Sequence, residues 1–314
     1  MKWVYTMRFN DNRCLVTGAS GFLGRACLPF LVQKNCEIIA VYHTADLNTL
    51  DTSLAINFQR LDLFNREERI ALLKKFKPTH MLHLAWHVPP SEYWKSQQNI
   101  HWLKISTDLF QEFYENGGKR FVGGGSLAEY DYWTRHDELD EIKTPLRPNT
   151  LYGQCKKSTF EIINHLQTHN EKMSVAWARI GLFFGKDEPA SKLISQLIRT
   201  INRGEPLNLV EEDTLRCYSH VRYLGEALSQ LLFSNNAKGP FNISSPYPIK
   251  IGEIVEYLLG LMQGSSLVNY GGYVPKIHEP KRLIPSVQRL VKAINFSPPN
   301  TLWEDLALMV NHHV

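Results

Sequence analysis

The chain has 314 residues, of which 43% are hydrophobic and 21% are charged, a composition that excludes a disordered or fibrous protein. This length predicts one large domain with a smaller partner rather than a single small core. The formal net charge is only +4, and Lys and Arg alternate with Asp and Glu, so we do not expect nucleic acid as the main ligand.

The N-terminal segment and the cysteines indicate a cytoplasmic protein with no membrane partner. The apolar run at residues 3–7 is too short for a signal peptide or a membrane span, and polar residues follow it. The five cysteines are widely separated and never form a CxxC pair, which predicts buried, reduced thiols rather than a disulfide framework or a zinc site. They are Cys14, Cys27, Cys36, Cys155 and Cys217.

The first half of the chain alternates between strand and helix patterns. An apolar run at residues 14–17 ends in a glycine-rich turn, residues 22–33 have helical spacing, and residues 37–41 form a second apolar run. This order predicts a parallel sheet with helices on its faces. Further strands are predicted at 57–61, 80–84, 120–122 and 174–180, and further helices at 66–76, 100–116 and 152–169.

The regular alternation weakens after residue 185. Helices are predicted at 191–202, 224–233 and 251–261, strands at 207–210 and 240–243, and a proline-bearing loop near a ligand at 273–285. We therefore expect two domains that are interleaved in sequence. Residues 12–181 with 219–243 form the larger domain, and residues 182–218 with 244–314 form the smaller, substrate-binding lobe.

A GxxGxxG motif, TGASGFLG at residues 17–24, lies between the first predicted strand and helix. Gly18 permits a tight turn, Gly21 lets the backbone approach a pyrophosphate, and Gly24 lets the helix pack on the strand. The motif predicts a Rossmann-type, doubly wound α/β fold that binds a dinucleotide. An alternative is a glycine turn in an unrelated strand–helix unit. The predicted cofactor contacts of this turn are Gly18, Ser20, Gly21, Phe22, Leu23 and Gly24.

The end of the second predicted strand bears on the choice between NAD and NADP. An acidic residue there bonds the ribose 2′-hydroxyl of NAD in many dinucleotide-binding folds, but this chain has Tyr42 and His43. Without that carboxylate, and with Arg25 nearby, we favour NADP, and NAD is the alternative. Asp62 and Leu63 follow the third strand and are predicted to contact the adenine. The alternative for Asp62 is a helix N-cap or a loop acid.

Tyr152 and Lys156 are four residues apart and therefore share one face of a predicted helix. A lysine beside the phenol would lower the pKa of the phenol and prepare it for proton transfer, although an exposed helix face is the alternative. Ser126 follows a predicted strand, where ligands bind in such sheets, but it also suits a plain turn. We reject a second phosphate loop at residues 123–125 because no helix start with Lys and Ser or Thr follows.

Six motifs in this order resemble the extended short-chain dehydrogenase/reductase family, of the NAD-dependent epimerase/dehydratase type, from about residue 12 onward. They are TGASGFLG at 17–24, LDL at 61–63, HLAW at 83–86, GSLAEY at 125–130, YGQCK at 152–156 and RCYSHV at 216–221. The resemblance implies that Tyr152 is the catalytic acid or base and that Ser126 orients the substrate oxygen. It also implies that Lys156 and Ala85 contact the nicotinamide ribose, and that Arg216 meets the diphosphate of a nucleotide sugar.

Departures from the family pattern narrow the reaction. Dehydratases of the family carry acidic residues directly after the hydroxyl residue, where this chain has Leu127 and Ala128, so dehydration is disfavoured. Many relatives have an asparagine where this chain has Leu182, so one phosphate contact is missing. For Arg216, the alternative is a salt bridge with a nearby acid of the same segment. These acids are Glu211, Glu212 and Asp213.

The stretches at 86–94 and 128–133 resemble nucleotide-sugar 4-ketoreductases such as CDP-abequose synthase and 6-deoxytalose-forming reductases. This resemblance implies hydride transfer from NADPH to the 4-keto group of a nucleotide-linked 4-keto-6-deoxyhexose. His87, Tyr93 and Trp94 would then line the sugar pocket, and packing of a loop over the sheet is the alternative.

Two other functions stay open at this point. One is a 4-epimerase with tightly bound NAD, and the other is a non-catalytic, cofactor-binding regulatory protein. The family resemblance also implies a homodimer formed through the helices predicted at 100–116 and 152–169. We expect no metal site, because His312 and His313 suit a frayed terminus.

Overall fold

Strands and helices alternate through the first half of the chain, as predicted. The computed structural model describes residues 11–44, 50–90, 92–168, 172–264, 267–274 and 278–313. The strands are β1 (Arg13–Thr17), β2 (Glu37–Tyr42), β3 (Asn57–Arg60), β4 (His80–His83), β5 (Arg120–Ser126), β6 (Ser174–Ile180), β7 (Leu182–Phe184), β8 (Leu207–Leu209), β9 (Leu215–Arg216), β10 (Tyr218–His220), β11 (Gly239–Ile243), β12 (Ile249–Lys250), β13 (Val268–Tyr270) and β14 (Arg282–Leu283). The helices are α1 (Phe22–Val32), α2 (Arg66–Phe76), α3 (Gln98–Glu115), α4 (Leu151–Thr168), α5 (Leu193–Asn202), α6 (Val221–Leu232), α7 (Ile251–Leu261), α8 (Gln288–Ile294) and α9 (Leu302–His313).

In the described part of the chain, a seven-stranded parallel sheet has the order β11-β6-β5-β4-β1-β2-β3. The predicted Rossmann-type α/β fold is confirmed. The order in which successive strands join the sheet reverses between β1 and β4. These two strands are neighbours in the sheet, although β2 and β3 lie between them in sequence. In open sheets of this kind, the crevice at the carboxyl ends of the strands beside such a reversal binds the ligand.

Apolar layers cover both faces of the sheet. Helices α1 and α6 contribute to one buried cluster, and α2, α3 and α4 contribute to the other. Strands that are buried on both faces read as continuous apolar runs, which is why β1, β2 and β6 were recognisable in the sequence. All five cysteines are buried and free of disulfides, as predicted. Within the described ranges, no helix has both the length and the apolar character needed to cross a membrane.

A third apolar cluster joins α5, α7 and α9 with the strands β8 and β13, outside the large sheet. Helix α8 instead packs against β11 and α6, so Leu290 belongs to a core of the larger sheet. The domain boundaries at 181, 218 and 243 stay a prediction.

Sequence patterns missed the shortest elements. Strands β7, β9, β10, β12, β13 and β14 have only two or three residues, which is too few to establish an alternation. Helices α8 and α9 were missed as well. Strand β14 lies inside the segment predicted as a loop at 273–285, and residues 275–277 of that segment lie outside the described residues. Three further predictions also concern parts outside the described residues. They are the end of helix α4 at His169, the N-terminal segment before residue 11 with its apolar run at 3–7, and the side chains of His312 and His313.

Helices α1 and α6 approach closely at a glycine. A Cβ atom on Gly225 of α6 would lie against the carbonyl oxygen of Ala26 in α1. Gly260 of α7 is exposed, and a Cβ atom there would meet no heavy atom within 4 Å. The two glycines therefore offer a matched pair for testing the packing of the first core.

Gly225→Ala is expected to lower the free energy of unfolding by about 1–3 kcal/mol, because the added methyl group forces two packed helices apart. Gly260→Ala is expected to raise it by up to about 1 kcal/mol, since alanine favours the helix. Urea unfolding of both variants measures the difference. Equal effects of the two substitutions would contradict the described contact between α1 and α6.

Candidate active site

A cavity of about 960 Å³ opens at the carboxyl ends of the central strands. It extends from the turn after β1 and the ends of β2 and β3, past β4 and β5, to an aromatic cluster. Tyr218, Tyr273 and Leu283 of the C-terminal half close its other side. The cavity therefore lies where the strand order predicts a ligand.

The glycine turn after β1 has the geometry that its sequence predicts. Gly18 has a φ of +72°, and a Cβ atom there would meet the backbone of Ala85 after β4. A Cβ atom on Gly24 would run into the carbonyl oxygen of Gly18. Gly21 is the N-cap of α1, and no described side chain caps that helix start. The residues at this end of α1 line the cavity, so the turn fits the pyrophosphate of a dinucleotide.

The residues predicted to contact the cofactor in and beside this turn line the cavity, with the exception of Arg25. Ser20, Phe22, Leu23 and Ala85 line the cavity. Arg25 does not line it, because its guanidinium group turns back and donates a hydrogen bond to the carbonyl oxygen of Ser20 at 2.7 Å.

The cavity also extends along the ends of β2 and β3. Residues there line it as predicted, namely Tyr42, His43, Asp62 and Leu63. A carboxylate oxygen of Asp62 accepts a hydrogen bond from the backbone N–H of Phe64 at 2.9 Å. Asn65, rather than Asp62, caps α2. Asp62 therefore shapes a turn and lines the cavity at once.

The sequence prediction missed one cation in this region. The exposed side chain of Arg60 donates a hydrogen bond to the carbonyl oxygen of His43 at 3.3 Å. Arg60 ends β3 and lies beside the end of β2, where parallel pairing joins it to Tyr42. Like Arg25, Arg60 does not line the cavity, so its guanidinium group lies at the outer edge of this region.

Ser126, Tyr152 and Lys156 converge in the middle of the cavity. Ser126 ends β5, and the other two lie on one face of the first turns of α4, both buried. The Ser126 side chain lies close enough to the Tyr152 phenol to favour its ionised form by hydrogen bonding. The ammonium of Lys156 donates a hydrogen bond to the carbonyl oxygen of Gly124 at 2.6 Å and lies 5.9 Å from the centre of the Tyr152 ring.

Burial dominates the electrostatics of this group. It raises the pKa of Tyr152 above the usual range, against the lowering effect of the hydrogen bond with Ser126, while the charge of Glu129 raises it further. Burial also lowers the pKa of Lys156 to about 7, and Glu129 opposes that change. The expectation that Lys156 lowers the pKa of Tyr152 was therefore wrong for this structure. The phenol is neutral and suited to donate a proton.

Aromatic rings surround the Tyr152 phenol. Tyr93 meets it edge-on with ring centres 4.9 Å apart, Trp94 does so at 5.7 Å and Trp86 at 6.4 Å. The Trp86 ring also lies under the ammonium of Lys156, 3.7 Å from its centre. His87, in contrast, is exposed and does not line the cavity.

Buried Asn99 holds this aromatic segment in place. Its side-chain oxygen accepts a hydrogen bond from the Trp86 indole at 2.8 Å, and its amide nitrogen donates to the carbonyl oxygen of Tyr93 at 2.6 Å. The aromatic rings are thus both a packed layer and a wall of the cavity.

Arg216 is buried outside the cavity lining. Its guanidinium group donates to the carbonyl oxygens of Leu215 and Pro280 and pairs with Glu279 at 3.0 Å. The acid that pairs with Arg216 is therefore none of the three considered from the sequence. Two of those, Glu211 and Asp213, pair with Lys281. Glu279 itself lines the cavity.

Lys192 is a cavity-lining cation that sequence analysis did not single out. It precedes α5, donates a hydrogen bond to the carbonyl oxygen of Phe183 at 3.3 Å and lies 3.6 Å from the centre of the Phe183 ring. Burial lowers its pKa to about 8, and the charge of Glu188 opposes that change. A lysine at a helix start after β6 was the available signal.

The model of the NAD dependent epimerase/dehydratase family matches residues 14–244. The chain is 20% identical over 251 residues to the dTDP-6-deoxy-L-talose 4-dehydrogenase (NAD(+)) of Aggregatibacter actinomycetemcomitans, covering 77% of this chain and 87% of that protein. It is 20% identical over 308 residues to the dTDP-4-dehydro-6-deoxyglucose reductase of Escherichia coli, covering 93% and 94%. Among solved structures, UDP-glucose 4-epimerase of Thermus thermophilus in complex with NAD is similar, with a TM-score of 0.81, 20% identity and coverage of 96% and 98%.

Burial of the Lys156 ammonium is expected to make the free energy of unfolding depend on pH. Its pKa is 10.5 in an unfolded chain and about 7 in the folded protein. Between these values the unfolded state binds more protons, so this residue destabilises the fold increasingly as the pH falls from 10.5 towards 7. Lys156→Met is therefore expected to gain stability relative to the native protein as the pH falls from 9 to 7, by about 1–3 kcal/mol.

Urea unfolding of both proteins at pH 7 and pH 9 measures this change. Lys157→Met is the control, since Lys157 lies on the outer side of α4 and pairs with Glu161 at 3.5 Å. Its stability relative to the native protein is expected to stay nearly constant over this pH range. A constant difference for Lys156→Met as well would contradict the described burial of the ammonium.

Proposed function

Because this chain belongs to the NAD-dependent epimerase/dehydratase family, we propose that it reduces the C4 keto group of a nucleotide-linked 4-keto-6-deoxyhexose. The observation that carries the proposal is the convergence of Ser126, Tyr152 and Lys156 in an aromatic-lined cavity beside the glycine turn. The product belongs to deoxysugar or surface-polysaccharide biosynthesis, and the cytoplasm is the compartment in which such nucleotide sugars are made.

Residues along one half of the cavity would hold the cofactor. Gly18, Gly21 and the start of α1 would receive its pyrophosphate, Asp62 and Leu63 its adenine, and Ala85 and Lys156 its nicotinamide ribose. When bound, the nicotinamide supplies the hydride that the carbonyl carbon accepts.

Tyr152 supplies the proton. Its neutral phenol donates the hydroxyl proton to the carbonyl oxygen of the substrate while Ser126 hydrogen-bonds that oxygen. The ketone gains one hydride on carbon and one proton on oxygen and becomes an alcohol. The phenolate left on Tyr152 is favoured by hydrogen bonding with Ser126 and then recovers a proton from solvent.

Aromatic and aliphatic side chains line much of the sugar end of the cavity, which also contains Glu279. Tyr93, Trp94 and Leu127 line it, which suits a sugar whose C6 is a methyl group. Leu127 and Ala128 supply no carboxylate next to Ser126, which disfavours dehydration. Lys192 is the cation that we assign to the substrate diphosphate, because Arg216 is held by Glu279.

NADPH is the preferred reductant in this proposal. Tyr42 and His43 place no carboxylate at the end of β2, and the side chain of Arg60 reaches the backbone of His43. We also propose a homodimer through α3 and α4, on which Ile100 and Ile162 are 48% and 40% exposed.

The proposed reaction is tested with a panel of nucleotide 4-ketosugars and either NADPH or NADH. NADPH consumption with formation of a 6-deoxyhexose product is expected for at least one member. In Tyr152→Phe, turnover is expected to fall about 10²–10⁴-fold, because only the proton donor is lost, while NADPH binding measured by fluorescence persists. Isomerisation of a nucleotide sugar without added NADPH would instead indicate a 4-epimerase, and binding of cofactor without any turnover would indicate a regulatory protein.

Cofactor choice is tested by Tyr42→Asp, which places a carboxylate at the end of β2. Repulsion of the 2′-phosphate is expected to weaken NADPH binding at least about tenfold relative to NADH. Tyr42→Asn, similar in size and uncharged, is the control and is expected to preserve the preference. If the native protein binds NADH more tightly than NADPH, the assignment of NADP is wrong.

A further inference from the structure

Glu129 is a fully buried carboxylate beside the active site, in a short 3-10 turn at Leu127–Glu129 that follows β5. One of its oxygens accepts hydrogen bonds from the backbone N–H of Ser126 at 2.8 Å and from the indole N–H of Trp177 at 2.9 Å. The other oxygen accepts from Nε of Arg179 at 2.9 Å. A buried charge with this many charge-assisted partners is held in one position.

The partner of this carboxylate is anchored in the sheet. Arg179 of β6 is buried, and its guanidinium group also donates to the hydroxyl of Tyr130 and to the carbonyl oxygen of Glu141, both at 3.1 Å. The Tyr130 hydroxyl in turn donates to the side-chain oxygen of Asn242 in β11 at 2.7 Å. The position of Glu129 is thus determined by β6 and β11, outside the cavity.

The same carboxylate determines the position of Ser126. Glu129 binds the backbone N–H of Ser126, while the Ser126 hydroxyl accepts from the backbone N–H of Ala128 at 3.2 Å, a reciprocal capping arrangement. With its oxygen engaged in this way, the Ser126 hydroxyl group meets the Tyr152 phenol. The backbone and the side chain of Ser126 are both held by one turn.

We propose that Glu129 is a positioning residue of the reaction, which holds the Ser126 hydroxyl beside Tyr152 and whose negative charge favours the Lys156 ammonium. This inference rests on the proposed function for its effect on turnover. Its electrostatic part concerns Lys156 alone and can be measured without any substrate.

The charged and titratable groups around Lys156 and Tyr152 support this role. From β4, His83 faces Lys156, but burial lowers the pKa of His83 to about 3, so the imidazole is uncharged. The segment after β4 contributes the uncharged Tyr93. Glu279 acts on Tyr93 and on Tyr132, farther along the cavity.

Glu129, on the turn after β5, is the carboxylate that acts on both groups. A Cβ atom on Gly125 would meet a carboxylate oxygen of Glu129, and the neighbouring carbonyl oxygen of Gly124 accepts the hydrogen bond of Lys156. From this position the charge of Glu129 raises the pKa of Lys156 against the effect of burial and also raises the pKa of Tyr152. Because its own charge is held by Arg179, the carboxylate keeps this influence without moving towards the ammonium.

The experiment measures the titration of Lys156 by NMR of protein with isotopically labelled lysine, with the Lys156 signal assigned from Lys156→Arg. In the native protein the midpoint is expected near pH 7. In Glu129→Gln it is expected at lower pH, because the uncharged amide no longer favours the ammonium. Trp177→Phe, which removes one hydrogen bond and keeps the carboxylate, is the control and is expected to leave the midpoint unchanged.

A double variant keeps the test decisive if Glu129→Gln fails to fold. Glu129→Gln with Arg179→Gln replaces the buried ion pair by a neutral hydrogen-bonded pair, which avoids an unpaired buried charge. A downward shift of the midpoint is expected here as well, but a smaller one, because loss of the Arg179 charge favours the ammonium. An unchanged midpoint in both variants would overturn the electrostatic part of the proposal.

Turnover separates the inference from the proposed function. With a substrate of the native protein, Glu129→Gln is expected to lower kcat about ten- to hundredfold, since a misplaced catalytic group has such an effect, and to shift the pH profile of kcat. Trp177→Phe is expected to keep the native pH profile. An unchanged kcat and profile in Glu129→Gln would refute the positioning role. If the native protein turned over no sugar nucleotide, the proposed function would fail while the titration still decided the electrostatic claim.

Discussion

The site depends on one close approach, between the first turn of α4 and the 3-10 turn that follows β5. A Cβ atom on Gly153 would lie against the carbonyl oxygen of Ala128, so glycine is required for the contact. The backbone N–H of Gly153 donates to the Thr150 hydroxyl at 3.1 Å, which fixes the start of the helix there. Because of this approach, Tyr152 meets Ser126 across two elements that are separate in sequence. The glycine of the YGQCK motif is therefore part of the active-site geometry.

Exclusion of water determines the charges in the cavity. The rings of Trp86, Tyr93 and Trp94 surround the phenol of Tyr152, and the indole of Trp86 covers the ammonium of Lys156. In such surroundings the charged forms of both groups lose hydration, so the phenol keeps its proton and the lysine ionises less readily. A phenol that keeps its proton in the free protein is available as a proton donor, which suits a reduction. The burial that tunes these groups for the reaction therefore also lowers the stability of the fold.

The fold and the centre of the site were predictable because local sequence determines them. Glycines 18, 21 and 24 have backbone roles that residue type alone reveals, and the spacing of Tyr152 and Lys156 follows from helical geometry. The end of β5 was less predictable, because residues 123–125 are glycines, which normally weaken a strand. In the structure the Trp177 indole packs over Gly123 and Gly125, and strand pairing continues to Ser126. Such a contact across strands has no local signal.

The other differences between prediction and structure also arise from contacts between residues that are distant in sequence. Arg216 and Glu279 are far apart in sequence, so their pairing, which removes Arg216 from the cavity, could not be inferred from the motif. Lys192 and Glu129 are likewise single charged residues whose roles depend on burial and on distant partners. The central claim, that this cavity reduces a sugar carbonyl, is tested most directly with cofactor deuterated at the transferred position. The account predicts that product formed from a nucleotide 4-ketosugar carries one deuterium at C4. A product without deuterium, formed with no consumption of the cofactor, would contradict it.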